Sequence, residues 1–135
     1  MSKAILLSIH PKWAKKIYSG EKKIEWRKDL PKSIEKGMKV YIYETAPVRR
    51  VTGRFTYIDF VNVDAKNLDL SYEYTYDSIY VKGGCVEPKD LLKYQGRAAS
   101  ILGWKIYSFE KFSEPKTLDE FGIARAPQSW RYVED

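Results

Sequence analysis

Residues 20–27 read Gly-Glu-Lys-Lys-Ile-Glu-Trp-Arg, and this short stretch places the end of a helix directly against the start of a strand. Gly20 can adopt the left-handed conformation that ends a helix. In the strand that follows, an isoleucine and a tryptophan alternate with Glu25 and Arg27, so the apolar pair should face the core. We therefore expect Glu25 and Arg27 to face solvent, a cleft or each other, with Lys22 at the junction.

These polar residues have the chemistry of an anion-binding site. A lysine at a strand edge can meet a phosphate as a point charge, and an arginine can present a fork to a phosphate or a base edge. A carboxylate between them can orient the arginine or act as a base. Lys22, Glu25 and Arg27 are thus candidate ligand-binding residues, and Lys22 and Glu25 are the catalytic candidates if the chain is an enzyme. An ordinary surface ion pair, worth under about 1 kcal/mol, fits the same spacing.

The surrounding pattern predicts many short strands and few helices. A buried strand at residues 5–9 leads into a helix at 11–19, which has a proline in its first turn and lysines on its outer faces. Further strands are expected at residues 38–43, 51–63 and 98–112, with a helix at 87–94 and a capped helical turn at 117–121. We predict one α+β domain spanning residues 1–135, a small mixed β-barrel with two or three short flanking helices.

The charge of the chain is unevenly distributed. Net charge is +6, with ten Lys or Arg against four Asp or Glu in residues 11–39, and one against five in the tyrosine-rich residues 59–80. A basic lobe of this kind can orient a polyanion, although lysine-rich faces are also found merely solvated. With one cysteine and one histidine, we expect no intrachain disulfide, no metal site and no cofactor. The sequence has no apolar run of membrane-spanning length, and a reducing, cytoplasmic setting fits best.

An ordered set of short motifs resembles the ASCH family. Its most specific part is the G-x-K-x-x-E-x-R pattern of residues 20–27. The other matching features are Leu7-Ser8-Ile9-His10-Pro11 with Trp13-Ala14, Val40-Tyr41-Ile42-Tyr43 with Thr45, Pro47 and Val48, Gly53, and the closing Pro127-Gln128-Ser129-Trp130-Arg131-Tyr132. The resemblance implies a PUA-like barrel with a cleft lined by the motif, in a superfamily whose members bind RNA or modified bases.

The same resemblance links the family to two enzymatic activities. Some members look like amidohydrolases acting on an acetylated cytidine, and others are described as ribonucleases. By position, Lys22 matches the lysine of the amidohydrolase members, whereas Glu25 stands where they carry a threonine, so the hydroxyl nucleophile is absent from that position. Glu87 is a guess for their catalytic acid. Relatives carry a lysine at the position of His10, which is therefore not expected to be catalytic.

The leading hypothesis is a domain that binds RNA or a modified nucleotide in a basic cleft. The alternative is a metal-independent hydrolase in the same cleft, and a third is a protein-interaction domain that uses residues 59–80. Oligomeric state stays open. In the tail, Ser129 and Arg131 either line the cleft or lie exposed while their aromatic neighbours plug the barrel. The predicted ligand-binding residues are Lys12, Lys22, Glu25, Arg27, Tyr43, Arg49, Ser129 and Arg131.

Overall fold

A computed structural model describes residues 2–67 and 83–135 of the chain. Most of the acidic, tyrosine-rich segment, from residue 68 to residue 80, lies outside the described residues. The strands are β1 (Lys3–Ile9), β2 (Ile24–Arg27), β3 (Lys39–Glu44), β4 (Arg50–Val63), β5 (Ile101–Lys116) and β6 (Trp130–Glu134). The helices are α1 (Pro11–Tyr18) and α2 (Pro88–Gln95), with 3₁₀ turns at Ala65–Asn67 and Leu118–Phe121.

The six strands form one mixed sheet in the order β2-β5-β4-β3-β1-β6. β1 pairs parallel with β3, and the other ladders are antiparallel. The ladders of the described residues leave β2 and β6 as edges, so the α+β prediction is confirmed in its mixed sheet and flanking helices, whereas the barrel is not confirmed. The sequence pattern missed this because strand periodicity shows which face is apolar and does not show whether the outer strands pair.

Apolar side chains fill both faces of the sheet. On one face, Ile5 and Leu7 of β1 pack with Ile17 of α1. On the other, Leu6 packs in a cluster with Ile123, which follows the second 3₁₀ turn. Because β1 is apolar at nearly every position, it is covered on both faces, as expected for an interior parallel strand.

α2 covers the outer end of the sheet. Its Leu91 packs in a third cluster with Ile24 and Trp26 of β2. Gly103 of β5 lies opposite Trp26 in the β2–β5 ladder, and a side chain at this glycine would meet both Ile24 and Trp26. The missing side chain therefore lets β2 lie close against β5.

Local sequence patterns predicted the bounds of most of these helices and strands to within a few residues. α1 begins at Pro11 as predicted, ends at Tyr18, and is followed by Gly20 with a φ of +85°. The predicted capping box between Thr117 and Glu120 is present. No helix among the described residues is long and apolar enough to cross a membrane.

Candidate functional site

The junction between α1 and β2 buries the lysine of the sequence motif. After Gly20, the amide of Lys22 donates to the carbonyl oxygen of Lys16 at 3.0 Å, which folds the chain back against the helix end. The Lys22 residue is 2 % exposed. The carbonyl of Gly83 accepts from the amides of Lys23 and Ile24 at 2.5 and 3.1 Å, so the segment that precedes α2 is held against the start of β2.

The ammonium group of Lys22 contacts backbone, carboxylate and aromatic groups. Its Nζ donates to the carbonyl oxygen of Gly84 at 2.7 Å and lies 3.9 Å from Oε1 of Glu25. The same Nζ is 5.0 Å from the centroid of the Trp13 ring. Burial lowers the pKa of Lys22, and the nearby carboxylate of Glu25 opposes that shift. Lys22 therefore loses its proton more readily than a surface lysine does.

Glu25 is also buried, with its side chain 6 % exposed. The predicted alternation places it on the polar face of β2, but that face is covered by Lys22 and Arg27, just as α2 covers the apolar one. Its Oε2 lies 4.0 Å from NH2 of Arg27 and has no hydrogen-bond partner among the described residues. A buried carboxylate oxygen without a donor is costly, which marks this atom as a place for a ligand or water to bind.

Arg27 uses its guanidinium group within the protein. NH2 donates to the backbone carbonyl oxygen of Ser8 at 2.6 Å, and NH1 donates to the hydroxyl oxygen of Ser129 at 3.3 Å. The side chain is 16 % exposed. Two of its nitrogens thus bind β1 and the residue before β6, whereas Nε is buried without a hydrogen-bond partner among the described residues.

A cavity of about 220 Å³ opens beside the buried pair, and we name it the aromatic pocket. It is smaller than the pockets that take drug-sized ligands, and it has room for one flat ring system. Nε1 of Trp26 is buried without a hydrogen-bond partner among the residues described here. The lining residues are Trp13, Lys22, Glu25, Trp26, Val86, Leu91 and Tyr94.

Larger surface grooves lie elsewhere. One of about 520 Å³ is lined by residues from both chain ends and from the turn before β3, including Ser2, Lys36 and Asp135. It shares no residue with the aromatic pocket. We take the smaller cavity as the candidate site because buried charges and unpartnered polar atoms meet there.

The other predicted ligand-binding residues are dispersed. Lys12 is exposed on α1, with its Nζ 4.7 Å from the centroid of the Trp13 ring, so it lies near the pocket. Tyr43 is buried in the cluster on the far face of the sheet. Arg49 is exposed in the turn before β4, and Arg131 lines a separate surface cavity beside Phe121.

Several other residues singled out in the sequence have local roles. The side chain of His10 accepts a hydrogen bond from the amide of Lys12 at 3.1 Å and caps α1. Glu87 is the exposed N-cap residue of α2, and its carboxylate lies 3.5 Å from Nζ of Lys89. Cys85 is half-buried beside Gly84, close enough to act electrostatically on Lys22. The described residues contain no group of side chains suited to hold a metal ion.

Sequence reasoning missed the part of the pocket wall that comes from α2 and the residues before it. Val86, Leu91 and Tyr94 come from α2 and the residues before it, more than 60 positions from Lys22. Leu91 lies within the helix predicted at residues 87–94, but nothing local indicated that it would meet the motif. Tyr94, 40 % exposed at the rim, carried no signal beyond its position on a short helix.

A protein-family model of the ASCH domain matches residues 7–115 of the chain. The chain belongs to the ASCH domain family. The match includes α1, the buried pair and α2, so every residue that lines the aromatic pocket of this ASCH domain lies within the part that the family model covers.

Solved ASCH structures share the fold. A crystal structure of ASCH from Zymomonas mobilis superposes with a TM-score of 0.78 at 21 % identity, covering 97 % of this chain and 87 % of that one. A tyrosine-to-phenylalanine variant of the same protein also gives 0.78, at 20 % identity, with 98 % and 91 % covered. At this level of identity the likeness shows the fold alone.

Two curated proteins of Ureaplasma parvum also match the ASCH domain described here. One is its ATP synthase subunit alpha, 28 % identical over 130 residues, and the other is its large ribosomal subunit protein uL22, 24 % identical over 136 residues. The matches cover 96 % and 98 % of this chain. The chain spans 15 % and 40 % of the lengths of these relatives, so it resembles only a part of each.

Proposed function

We propose that the chain, as one domain, binds a single unpaired base of RNA or of a modified nucleotide in the aromatic pocket. The observation that carries the proposal is the meeting of an aromatic cavity of about 220 Å³ with a buried lysine and a buried carboxylate oxygen that has no donor. Unstacked bases are recognised by stacking on aromatic rings and by hydrogen bonds to their edges.

The polar floor of the pocket suits the edge of a base. Lys22 can donate to a carbonyl or ring nitrogen, and Glu25 can accept from an amino or imino group. Every base offers a donor beside an acceptor on its Watson–Crick edge, so this pair supplies hydrogen bonds for a base and for its modified forms. Burial keeps water from competing for these groups, which makes each contact stronger than it is at the surface.

The test is ligand capture with a matched aromatic control. Purified protein is incubated with total RNA and with a panel of nucleosides that includes acetylated cytidine, and retained ligands and new products are identified by mass spectrometry. Trp13→Leu removes a stacking ring and keeps an apolar side chain. We expect it to weaken binding about fivefold or more, because base–aromatic stacking is worth about 1–3 kcal/mol.

Tyr107→Leu is the control, since Tyr107 is an exposed aromatic residue of β5 that does not line the pocket. It should leave binding unchanged. Equal loss in both variants, or no retained RNA or nucleoside at all, would contradict the proposal.

A metal-independent hydrolase in the same pocket is the second candidate, and the lowered pKa of Lys22 favours it. A neutral lysine amine can serve as a general base. With acetylated cytidine, Lys22 would take a proton as water adds to the acetyl carbonyl carbon. The carbon–nitrogen bond would then break, the exocyclic nitrogen would receive the proton, and acetate would leave. With RNA, the same base would take the proton of a 2′-hydroxyl as its oxygen bonds to the adjacent phosphorus. The bond from phosphorus to the 5′-oxygen would break, and that oxygen would receive the proton.

Substitution of Lys22 separates the two candidates. Lys22→Ala should abolish product formation if the domain is a hydrolase. If it only binds, the same change should weaken affinity, with no product from either protein. Turnover that persists at the wild-type rate in Lys22→Ala would rule out Lys22 as the base.

A further inference from the structure

Two exposed lysines hold their ammonium groups over the aromatic walls of the pocket. Nζ of Lys12 is 4.7 Å from the centroid of the Trp13 ring, and Nζ of Lys28 is 5.2 Å from the centroid of the Tyr94 ring. Lys12 lies in the first turn of α1 and Lys28 directly follows β2, so they approach the pocket from different elements. Within residues 2–67 and 83–135 neither forms a salt bridge, so both charges are available to an anion.

The charged residues that line the pocket leave no net positive charge for a phosphate. Lys22 and Glu25 form a buried pair of opposite charge, and Arg27 is not among the lining residues. An anionic group entering with a base must therefore be met at the rim. A lysine ammonium group suits this because it binds phosphate as a compact point charge, without a required orientation.

We infer that Lys12 and Lys28 bind the two phosphates that flank the nucleotide whose base occupies the aromatic pocket. The ligand is then a nucleotide within a single strand, because in a strand each internal nucleotide carries a phosphate on both sides. This rests on the proposed function, and it narrows the ligand from any nucleoside to a base within a chain. The outer face of α1 extends the positive surface, with Lys15 exposed beyond Lys12.

The test compares nucleosides with their 3′,5′-bisphosphates, which add only the two flanking phosphates. For the wild-type protein we expect the bisphosphate of the retained base to bind about tenfold more tightly, since each exposed charge contact contributes about two- to fivefold. Lys12→Gln and Lys28→Gln should each reduce the preference for the bisphosphate by about two- to fivefold, the contribution of one contact. The double variant should bind the nucleoside and the bisphosphate with equal affinity. Lys36→Gln, an exposed lysine in the separate surface groove, is the control and should behave as wild type.

Salt dependence provides a second measurement, with a fluorescein-labelled RNA decamer of random sequence as probe. Each substitution should lower the slope of log K against log salt by about 0.7. A wild-type bisphosphate preference that survives in Lys12→Gln/Lys28→Gln, or bisphosphates that bind no better than nucleosides, would overturn this inference and leave the proposed function standing. No binding of either compound would overturn both.

Discussion

Lys22 and Glu25 bring two opposite charges into the interior, and their geometry does not favour a role in stability. The two groups are 3.9 Å apart, with side-chain exposures of 1 % and 6 %, and Oε2 of Glu25 lacks a hydrogen bond among the described residues. Removing two charges from water costs more than such an imperfect pair returns. The pair is therefore better explained by ligand binding or catalysis.

The pair should show strong coupling when its members are removed singly and together. We expect Glu25→Leu alone to destabilise the fold by about 3 kcal/mol, because it leaves Lys22 buried without a carboxylate. Lys22→Met should cost less, because Glu25 keeps Arg27 at 4.0 Å. The double variant should be at least as stable as either single variant. Urea denaturation of all four proteins completes the cycle. Additive losses in the double variant would mean that the two residues do not interact, and this would contradict the prediction.

Stability should also depend on pH through Lys22. Its pKa is lowered in the folded protein from an ordinary value of 10.5, so between the two values the unfolded chain binds the extra proton and stability rises with pH. We expect the free energy of unfolding of the wild type to increase relative to that of Lys22→Met/Glu25→Leu as the pH is raised from 7 to about 9.5. Urea titrations at several pH values measure this difference, and a constant difference would contradict the lowered pKa.

At the scale of elements, the pocket depends on how closely β2, β4 and β5 approach one another. A Cβ built at Gly103 would come within 2.6–2.9 Å of Ile24, Val61 and Trp26. All three neighbours are side-chain atoms of a packed cluster, and they can relax only by moving β2 or reshaping the pocket wall. The absent side chain at Gly103 thus supports the position of Trp26.

Gly103→Ala should destabilise the protein by about 1–3 kcal/mol through overpacking, and it should displace the Trp26 ring. Thermal unfolding and tryptophan fluorescence report these two effects. Ser113→Ala, at an exposed position of the same strand, is the control and should change stability by less than about 0.5 kcal/mol. If Gly103→Ala is as stable as the wild type, the cluster can accommodate the added methyl group, and the overpacking prediction is wrong.

At the scale of the whole molecule, Arg27 links the two edges of the open sheet. It belongs to β2, one edge strand, and it donates to Ser8 in β1 and to Ser129 just before β6, the other edge. The Ser8 amide in turn donates to the Ser129 carbonyl oxygen at 2.9 Å. One side chain thus holds together edges that no ladder of the described residues joins.

Arg27→Gln should lower the free energy of unfolding by about 2–3 kcal/mol, as expected for lost hydrogen bonds from a charged donor. It should also speed hydrogen exchange at the Ser8 amide, because the guanidinium group contacts both residues of the Ser8–Ser129 hydrogen bond. Arg54→Gln is the matched control, because Arg54 pairs with Glu110 at a partly exposed site and should cost less than about 1 kcal/mol. Unchanged exchange at Ser8 in Arg27→Gln would refute the linking role.

The sequence by itself determined the local features of this protein. The proline in the first turn and Gly20 predicted α1, the Thr117–Glu120 capping box predicted a helical turn, and the ordered motifs indicated the ASCH family. These signals act over a few residues, through backbone conformations and hydrogen bonds that neighbouring side chains largely decide.

Only the tertiary structure decided how the motif is used. It brought Gly84 and Tyr94 against residues more than 60 positions earlier, buried Glu25 on the face that alternation had marked as polar, and directed Arg27 into the protein. Burial and partner choice depend on contacts between segments distant in sequence, and periodicity carries no information about which segments meet. The sequence pattern around a carboxylate on a strand is therefore the same whether water or a second layer of the protein covers that carboxylate.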